Sequence, residues 1–356
     1  MKRNKRLFFI TEVIALLLIV LTGSFGFTAP TSPAQKPAYK LIFAEAAPRG
    51  VNPWLAPLLL DKIVKASGGR LQIQDMRGGE HPYALPEMLV VCSKGSLDMA
   101  IIHGLSQSGT EPWLGLMDLP FLLSGGAQEL WALLNDPGFK DVRDAAWDNP
   151  LNKWNQLGLL TFGYTEYGFG GVLVNDLKDL KGKKMRASSH WIVEMLKVVG
   201  ASGHNVPMNE MFTALKSGVI DGACTGLVTY QSGGLMEAAP YYTIAPYEPG
   251  LIGLTINKNS LAKLPKDLQG IILKTCALQE PVVREHFQTG YLSKGLMDSI
   301  LKNYGTVRAM HPSVVANFRK LCEPLWDQWA QQVGPPAGEV LKRVKEFDRK
   351  WSESKK

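Results

Sequence analysis

The sequence predicts an α/β protein of two lobes, each a mostly parallel sheet with helices on its faces. Three observations point there. Strand and helix patterns alternate in two separate stretches of the chain, the two stretches share a local grammar, and an apolar stripe long enough to reach across two domains follows the second. At 356 residues the chain is about two domains long, and 46% hydrophobic residues supply two cores without disulfide support.

The chain opens with a segment set apart from the fold. Lys2, Arg3, Lys5 and Arg6 precede an apolar run from Leu7 to Phe27, the layout of an export signal. Glu12 interrupts that run, and the core from Val13 to Leu21 falls short of the roughly 20 apolar residues of a membrane span. Residues 1–29 are therefore expected to be cleaved as a signal peptide near Thr28 and Ala29, and no cysteine lies there to carry a lipid. A Pro-rich linker, residues 30–38, follows.

"YKLIFAEAA" alternates and then turns apolar, which predicts a first buried strand. Trp54, Leu58, Leu59 and Ile63 recur at helical spacing up to the glycines of "ASGGR". "RLQIQDM" reads as a second strand, "LPEMLVVCSKG" as a short helix stopped by Gly95, and "SLDMAIIHG" as a third strand running out to His103. The pattern restarts with strand material in "LGLLTFGYTEYGFGGVLVN", a strand at "KKMRA", a helix in "HWIVEMLKVVG", and, in "NEMFTALKSGVIDGA", a helix, a glycine stop and a short strand through Val219 to Asp221. "VVCSKGSLDMAI" and "TALKSGVIDGAC" share Lys, Gly, apolar and Asp positions in register, as two similar halves would; so few shared residues also allow a chance likeness. From Pro265 an apolar stripe over about 38 residues predicts a helix of nearly 60 Å, kinked at Pro281 and bridging both halves. "FRKLCEPLWDQWAQQVG" and "AGEVLKRVKEFDRKW" close the structure as helices. The expected division is 39–163 plus 252–285 for lobe I and 164–251 plus 286–356 for lobe II.

Charge and motifs exclude several functions. The formal net charge of +7 drops to a mild excess once the basic leader is removed, and both signs are interspersed, so nucleic acid is not an expected partner. The six histidines stand singly without the i, i+4 spacing of a zinc-binding helix, and there is no nucleophile elbow, P-loop or dinucleotide turn. No metal or other cofactor is expected. Cys92, Cys224, Cys276 and Cys322 lie far apart; they are expected as free, buried thiols, although an oxidising compartment permits a bridge. An exported, two-lobed chain without a catalytic signature fits a solute receptor, with a cleft, a hinge and a few inward polar groups. Arg186 sits at the end of a predicted strand, where ligands of open α/β sheets bind, and its planar fork suits a carboxylate. A surface arginine or a domain-stabilising ion pair is the alternative.

"DLKGKKMRASS", "VVGAS" and "NEMFTALKSGVIDG" resemble the second-domain signature of the substrate-binding subunits of tripartite ATP-independent periplasmic (TRAP) transporters. "SGGRLQIQDMRGGE", "KGSLDMAI" and "LMDLPFLL" extend the resemblance through the first half, and "LPKDLQ" and "MHPSVVANF" carry it towards the end, so nearly the whole mature chain is covered. The resemblance implies a two-lobed periplasmic binding protein fold with hinge strands and a long helix spanning both lobes. It also implies closure over a small, usually carboxylated solute and delivery to small and large membrane permease subunits, driven by an ion gradient without a nucleotide.

Residue by residue, the resemblance puts Arg186 where the family clamps its ligand's carboxylate. Counting back without a gap puts Glu166 where many relatives carry a second arginine, which would favour a zwitterion or an amino-bearing or hydroxylated acid over a dicarboxylate; loop decoration is the other reading. Where many relatives place a ligand-touching asparagine this chain has Thr225, in "ACTG", beside Cys224. Met208 stands near a position relatives fill with an aromatic ring, where thioether packing could substitute or simply fill the core. His103 and Glu45 end first-lobe strands and match cleft-facing positions, while Trp191 and Tyr83 are aromatic wall candidates that packing alone could equally explain. Asp221, ahead of a glycine, reads as a turn residue. The expected function is a non-enzymatic periplasmic receptor for a small organic acid or zwitterion. A receptor of an ATP-driven transporter and a secreted enzyme on the same scaffold are the rivals.

Overall fold

The structure, a computed structural model, describes residues 39–47, 55–139, 155–163, 167–286, 306–335 and 337–355. The leader, the linker, Glu166 and the distal part of the predicted bridging helix lie outside these residues.

The three predicted strands of the first half form as β1 (Tyr39–Ala44), β2 (Leu71–Met76) and β3 (Met99–His103). β2 and β3 flank β1 in parallel, Tyr39 pairing with Leu71 and Phe43 with Met99. β4 (Gln156–Gly163) and a strand at Leu251–Asn257, β10, complete this sheet in the order β2-β1-β3-β10-β4, with β10 antiparallel to both neighbours. The second sheet repeats the device. β6 (Lys184–Arg186) is flanked in parallel by β7 (Ser202–His204) and β8 (Gly222–Gly226). β5 (Tyr167–Gly170) runs antiparallel to β8 and to β9 (Tyr241–Ile244), and β11 (Thr306–Ala309) closes the order β11-β9-β5-β8-β6-β7. The stretch "LGLLTFGYTEYGFG" is thus two strands in two sheets, β4 and β5, and the chain crosses back between β9 and β10.

The apparent repeat has a physical basis. Gly95 (φ 79°) and Gly218 (φ 71°) end their helices in the left-handed region, where a side chain would be strained. Three residues on, Asp98 accepts the Ile42 N–H at 2.7 Å and donates its own N–H to the Ile42 carbonyl at 3.0 Å. Asp221 does the same with Lys184, at 2.7 Å in each direction. Each aspartate pins the incoming third strand to the first strand of its sheet.

The first predicted helix is a single wide turn, Ala56–Leu60, running into an α-helix, Asp61–Ala66. Helix Lys266–Glu285 begins after Pro265, carries Pro281 within its span, and packs on β4 and the Asp61–Ala66 helix. Helix Pro312–Val333 lies against the second sheet, where Phe318 stacks on Phe169 of β5 at 6.2 Å. Its Trp326 and Trp329 indoles donate to the Pro120 and Pro112 carbonyls at 2.9 and 2.8 Å, fastening residues 112–123 to it. The final helix, Ala337–Ser354, is tied on by Arg319 and Asp348 at 2.5 Å. One apolar cluster runs from β1 and β3 through residues 112–123 to Phe169, Met185 and Trp191, and a smaller one sits under Met211, Tyr230 and Tyr242. All four cysteines are free and buried.

Candidate functional site

Arg186 is the last residue of β6, beside Ala223 of β8 and His204 of β7, and only 5% of it is exposed. Its Nε donates to the Val206 carbonyl and Nη1 to the Cys224 carbonyl, both at 3.2 Å. These bonds fix the plane of the fork. A guanidinium carries five N–H donors, so three remain without a hydrogen-bond acceptor among the described residues. Burial draws Arg186 below its ordinary pKa, against the opposing pull of Tyr247, Tyr167, Cys224 and Glu248.

His103 ends β3 of the other sheet, paired with Ile252 of β10. It is 6% exposed, and burial and then the Arg186 charge push it down to about 4, so the ring is neutral near pH 7. Its Nε2 has no hydrogen-bond partner among the described residues. The Arg186 charge reaches His103, so the carboxyl ends of β6 and β3 lie near one another, and carboxyl ends of strands are where open α/β sheets hold ligands.

Two acids that the sequence reading did not single out join them. Glu248 lies on the crossing from β9 to β10, 3% exposed, and burial raises it to about 8 although Arg186 and Tyr167 pull it down. Asp118, fully buried, ends the turn Pro112–Asp118 and is raised well above the usual carboxylate range, by burial first and then by the charge of Glu248. No oxygen of either carboxyl has a well-formed hydrogen bond among the described residues. Phe121 brings their segments together: its N–H donates to the Tyr247 carbonyl at 2.7 Å from a left-handed φ of 58°. Tyr247 is itself fixed by its hydroxyl on the Gly168 carbonyl at 3.2 Å and by the Tyr167 ring, edge-on at 5.7 Å. The local sequences carried a signal, since Asp118 interrupts the apolar run "LMDLPFLL" and Glu248 sits between prolines in "APYEPG".

The other expected residues are placed as follows. Glu45, just past β1, is buried and ion-paired to Arg77 at 2.5 Å, while its carbonyl meets His81 Nε2 at 2.9 Å. Tyr83 is half-buried and stacks on His81 at 5.7 Å. Thr225, buried on β8, lies opposite Gly168 of β5, and its carbonyl accepts the Tyr242 hydroxyl at 2.5 Å. Trp191 is buried against Gly115, where a Cβ would come within 2.9 Å of its Nε1. Met208 is half-buried on the smaller apolar cluster. Glu166 lies outside the described residues. Among the described residues no three His, Cys, Asp or Glu side chains group as a metal site, and no helix is long and apolar enough to cross a membrane.

Residues 51–332 match the family model of the bacterial extracellular solute-binding proteins, family 7, known as DctP. The chain belongs to this family. Among the family's curated relatives, an uncharacterized protein of Haemophilus influenzae is 23% identical over 253 residues, 70% of this chain and 75% of that one. A solute-binding protein of Sulfitobacter is 27% identical over 185 residues, covering 50% of this chain and 53% of that one. The fold of this DctP chain is that of TRAP periplasmic receptors. It superposes on DctP7, a Bordetella pertussis extracytoplasmic solute receptor binding pyroglutamic acid, with a TM-score of 0.77, 19% identity and coverage of 86% and 99% of the two chains. A Desulfovibrio salexigens TRAP receptor with bound orotic acid gives 0.77, 20% identity, and 88% and 99% coverage. One from Xanthobacter autotrophicus with bound β-D-galacturonate gives 0.75, 23% identity, and 86% and 99%.

Proposed function

We propose that this DctP-family chain captures a small organic acid or zwitterion in the periplasm by closing its two lobes, with Arg186 neutralising the solute's carboxylate. It then delivers the solute to the small and large permease subunits of a TRAP transporter. The observation that carries this is the buried Arg186 fork, held by two backbone carbonyls, with three donors lacking a hydrogen-bond acceptor among the described residues. An uncompensated buried cation is costly, and a carboxylate matched to a preset fork repays that cost as a charge-assisted pair. The bound compounds of the superposed receptors, pyroglutamic acid, orotic acid and galacturonate, are all carboxylic acids, which supports the same chemistry here.

Around the clamp, the neutral His103 and the backbone beside Thr225 would meet the solute's polar groups, with Trp191, Tyr83 and Met208 as apolar wall and Glu166 as a further acidic contact. Glu45, already paired with Arg77, would act by shaping the first-lobe wall. Closure excludes water and strengthens every charged contact inside, and no covalent step is required. The basic, apolar leader supports export and cleavage.

The test is to identify by mass spectrometry the compound that copurifies, then titrate it by the fluorescence of the nine tryptophans. Arg186→Ala is expected to weaken binding by about 2 to 5 kcal/mol, with the circular dichroism spectrum unchanged. Undiminished affinity in a folded Arg186→Ala protein would remove the clamp.

A further inference from the structure

Buried carboxylates rarely lack hydrogen-bond partners, and when they do, the missing partner is commonly a ligand, water or ion. Here the oxygens of Asp118, the oxygens of Glu248 apart from the pull of the Tyr167 hydroxyl, and the Nε2 of His103 are buried without a well-formed hydrogen bond among the described residues. Glu248 and His103 lie within electrostatic reach of Arg186, and Asp118 within reach of Glu248. The three come from different elements: the Pro112–Asp118 turn, the β9–β10 crossing and the end of β3. They are therefore not one helix face exposing a charge run.

A carboxylate-only solute would satisfy Arg186 and give the two raised acids no cation to ionise beside. We propose that Glu248, backed by Asp118, is an ammonium-accepting subsite beside the carboxylate clamp, so that the solute is a small zwitterion such as an amino acid rather than a simple organic anion. This rests on the Arg186 clamp proposed above. His103 stays neutral between the two poles and supplies one further hydrogen bond through Nε2. The titratable and charged groups around Glu248 are Arg186 from β6, Tyr167 from β5, Cys224 from β8, its own neighbour Tyr247, and Asp118 from the turn. In the empty site the Glu248 carboxyl stands at about 8 and is mostly protonated at neutral pH. An ammonium group would draw it down, so binding would release a proton.

The experiment uses matched probes that differ only at Cα: alanine, lactate and propionate; glutamate, 2-hydroxyglutarate and glutarate; proline and tetrahydrofuran-2-carboxylate. Affinities are measured by titration calorimetry at pH 6, 7 and 8 in two buffers of different ionisation enthalpy. At least one amino-bearing probe is expected to bind tenfold or more tighter than its twins. Its affinity should rise by up to about tenfold per pH unit between 6 and 8 as one proton is released, with an enthalpy that depends on the buffer. Glu248→Gln should erase the preference and the pH slope while the hydroxy and unsubstituted acids bind as well or better; its melting temperature, unchanged or higher, shows that the fold is kept. The subsite is overturned if no amino-bearing probe binds, if a twin binds as tightly as its amino partner, or if Glu248→Gln keeps the preference. Binding of a plain acid that Arg186→Ala abolishes would sink the ammonium subsite and leave the clamp standing, whereas binding indifferent to Arg186→Ala would sink both.

Discussion

At the scale of single residues, the site titrates in opposite directions. Glu248 is held at about 8 by burial, above the usual range for a glutamate, so the folded protein keeps a proton that the unfolded chain gives up above about 4.5. Stability from this group is therefore present at low pH and is lost as pH rises towards 8. His103 is the reverse: lowered to about 4, it adds stability as pH rises from about 4 to 6.5, fully present above that. Between pH 6.5 and 8 only the acid side of the balance is still changing. Glu248 alone is expected to withdraw about 2 kcal/mol over that interval, read as a urea midpoint that falls less steeply in Glu248→Gln, where Asp118 and Glu129 still titrate. Glu129, raised by burial to about 7, contributes in part of the same window but is common to both proteins and cancels in the difference. A parent midpoint constant from pH 6.5 to 8 would mean that Glu248 is ionised and paired in the empty site. Arg186 was legible because a basic residue closing a short strand has an evident use; Glu248 and Asp118 were not, because a lone acid among apolar residues looks the same whether it is a turn residue or a buried ligand group until the fold brings its partners near.

At the scale of elements, Asp98 and Asp221 show why much of the fold could be read in advance. A helix, a left-handed glycine and an aspartate three residues later is a local construction, and it builds a third strand beside a first one in both sheets. Strands β1, β2, β3 and β6 follow from such local grammar, whereas β8 begins at Gly222, just past the strand expected from Val219 to Asp221. β9 and β10 do not, because "YYTI" and "LIGLTIN" are placed by antiparallel pairing with strands far away in sequence, and the split of 156–170 into two sheets depends on the crossing between them. The two aspartates also differ in a measurable way. Asp98 satisfies the buried side of the pair, accepting from Ile42 N–H and also from the Ser260 hydroxyl at 2.5 Å, whereas the bond from Lys184 N–H to Asp221 is exposed. Asp98→Ala is expected to cost about 1 to 2 kcal/mol, since it strands a part-buried amide; Asp221→Ala, where water can replace the carboxylate, about 0.5 to 1 kcal/mol. Equal losses in urea denaturation would show that the two clasps are not separated by burial.

At the scale of the whole molecule, two sheets need not mean two independent folding units. The larger apolar cluster is continuous from Leu41 and Phe43 of β1 to Phe169 of β5 and Trp191, through Phe121, Tyr247 and Phe318. Phe121 is the junction: its ring meets Phe318 at 5.0 Å and Tyr247 at 6.4 Å, and its backbone holds the β9–β10 crossing. The indole bonds of Trp326 and Trp329 extend the same tie to residues 112–123. Separating the two sheets would expose that shared core, so unfolding of one should pull the other with it. Far-UV circular dichroism and tryptophan fluorescence are therefore expected to report one coincident urea transition. A solute bound at the proposed Arg186 site would stabilise only the folded state, and at a hundredfold excess over its Kd it should raise the unfolding free energy by about 2.7 kcal/mol for both probes alike. Two transitions, with only one moved by solute, would show that each sheet carries a core of its own and that the continuity through Phe121 contributes little to holding them together.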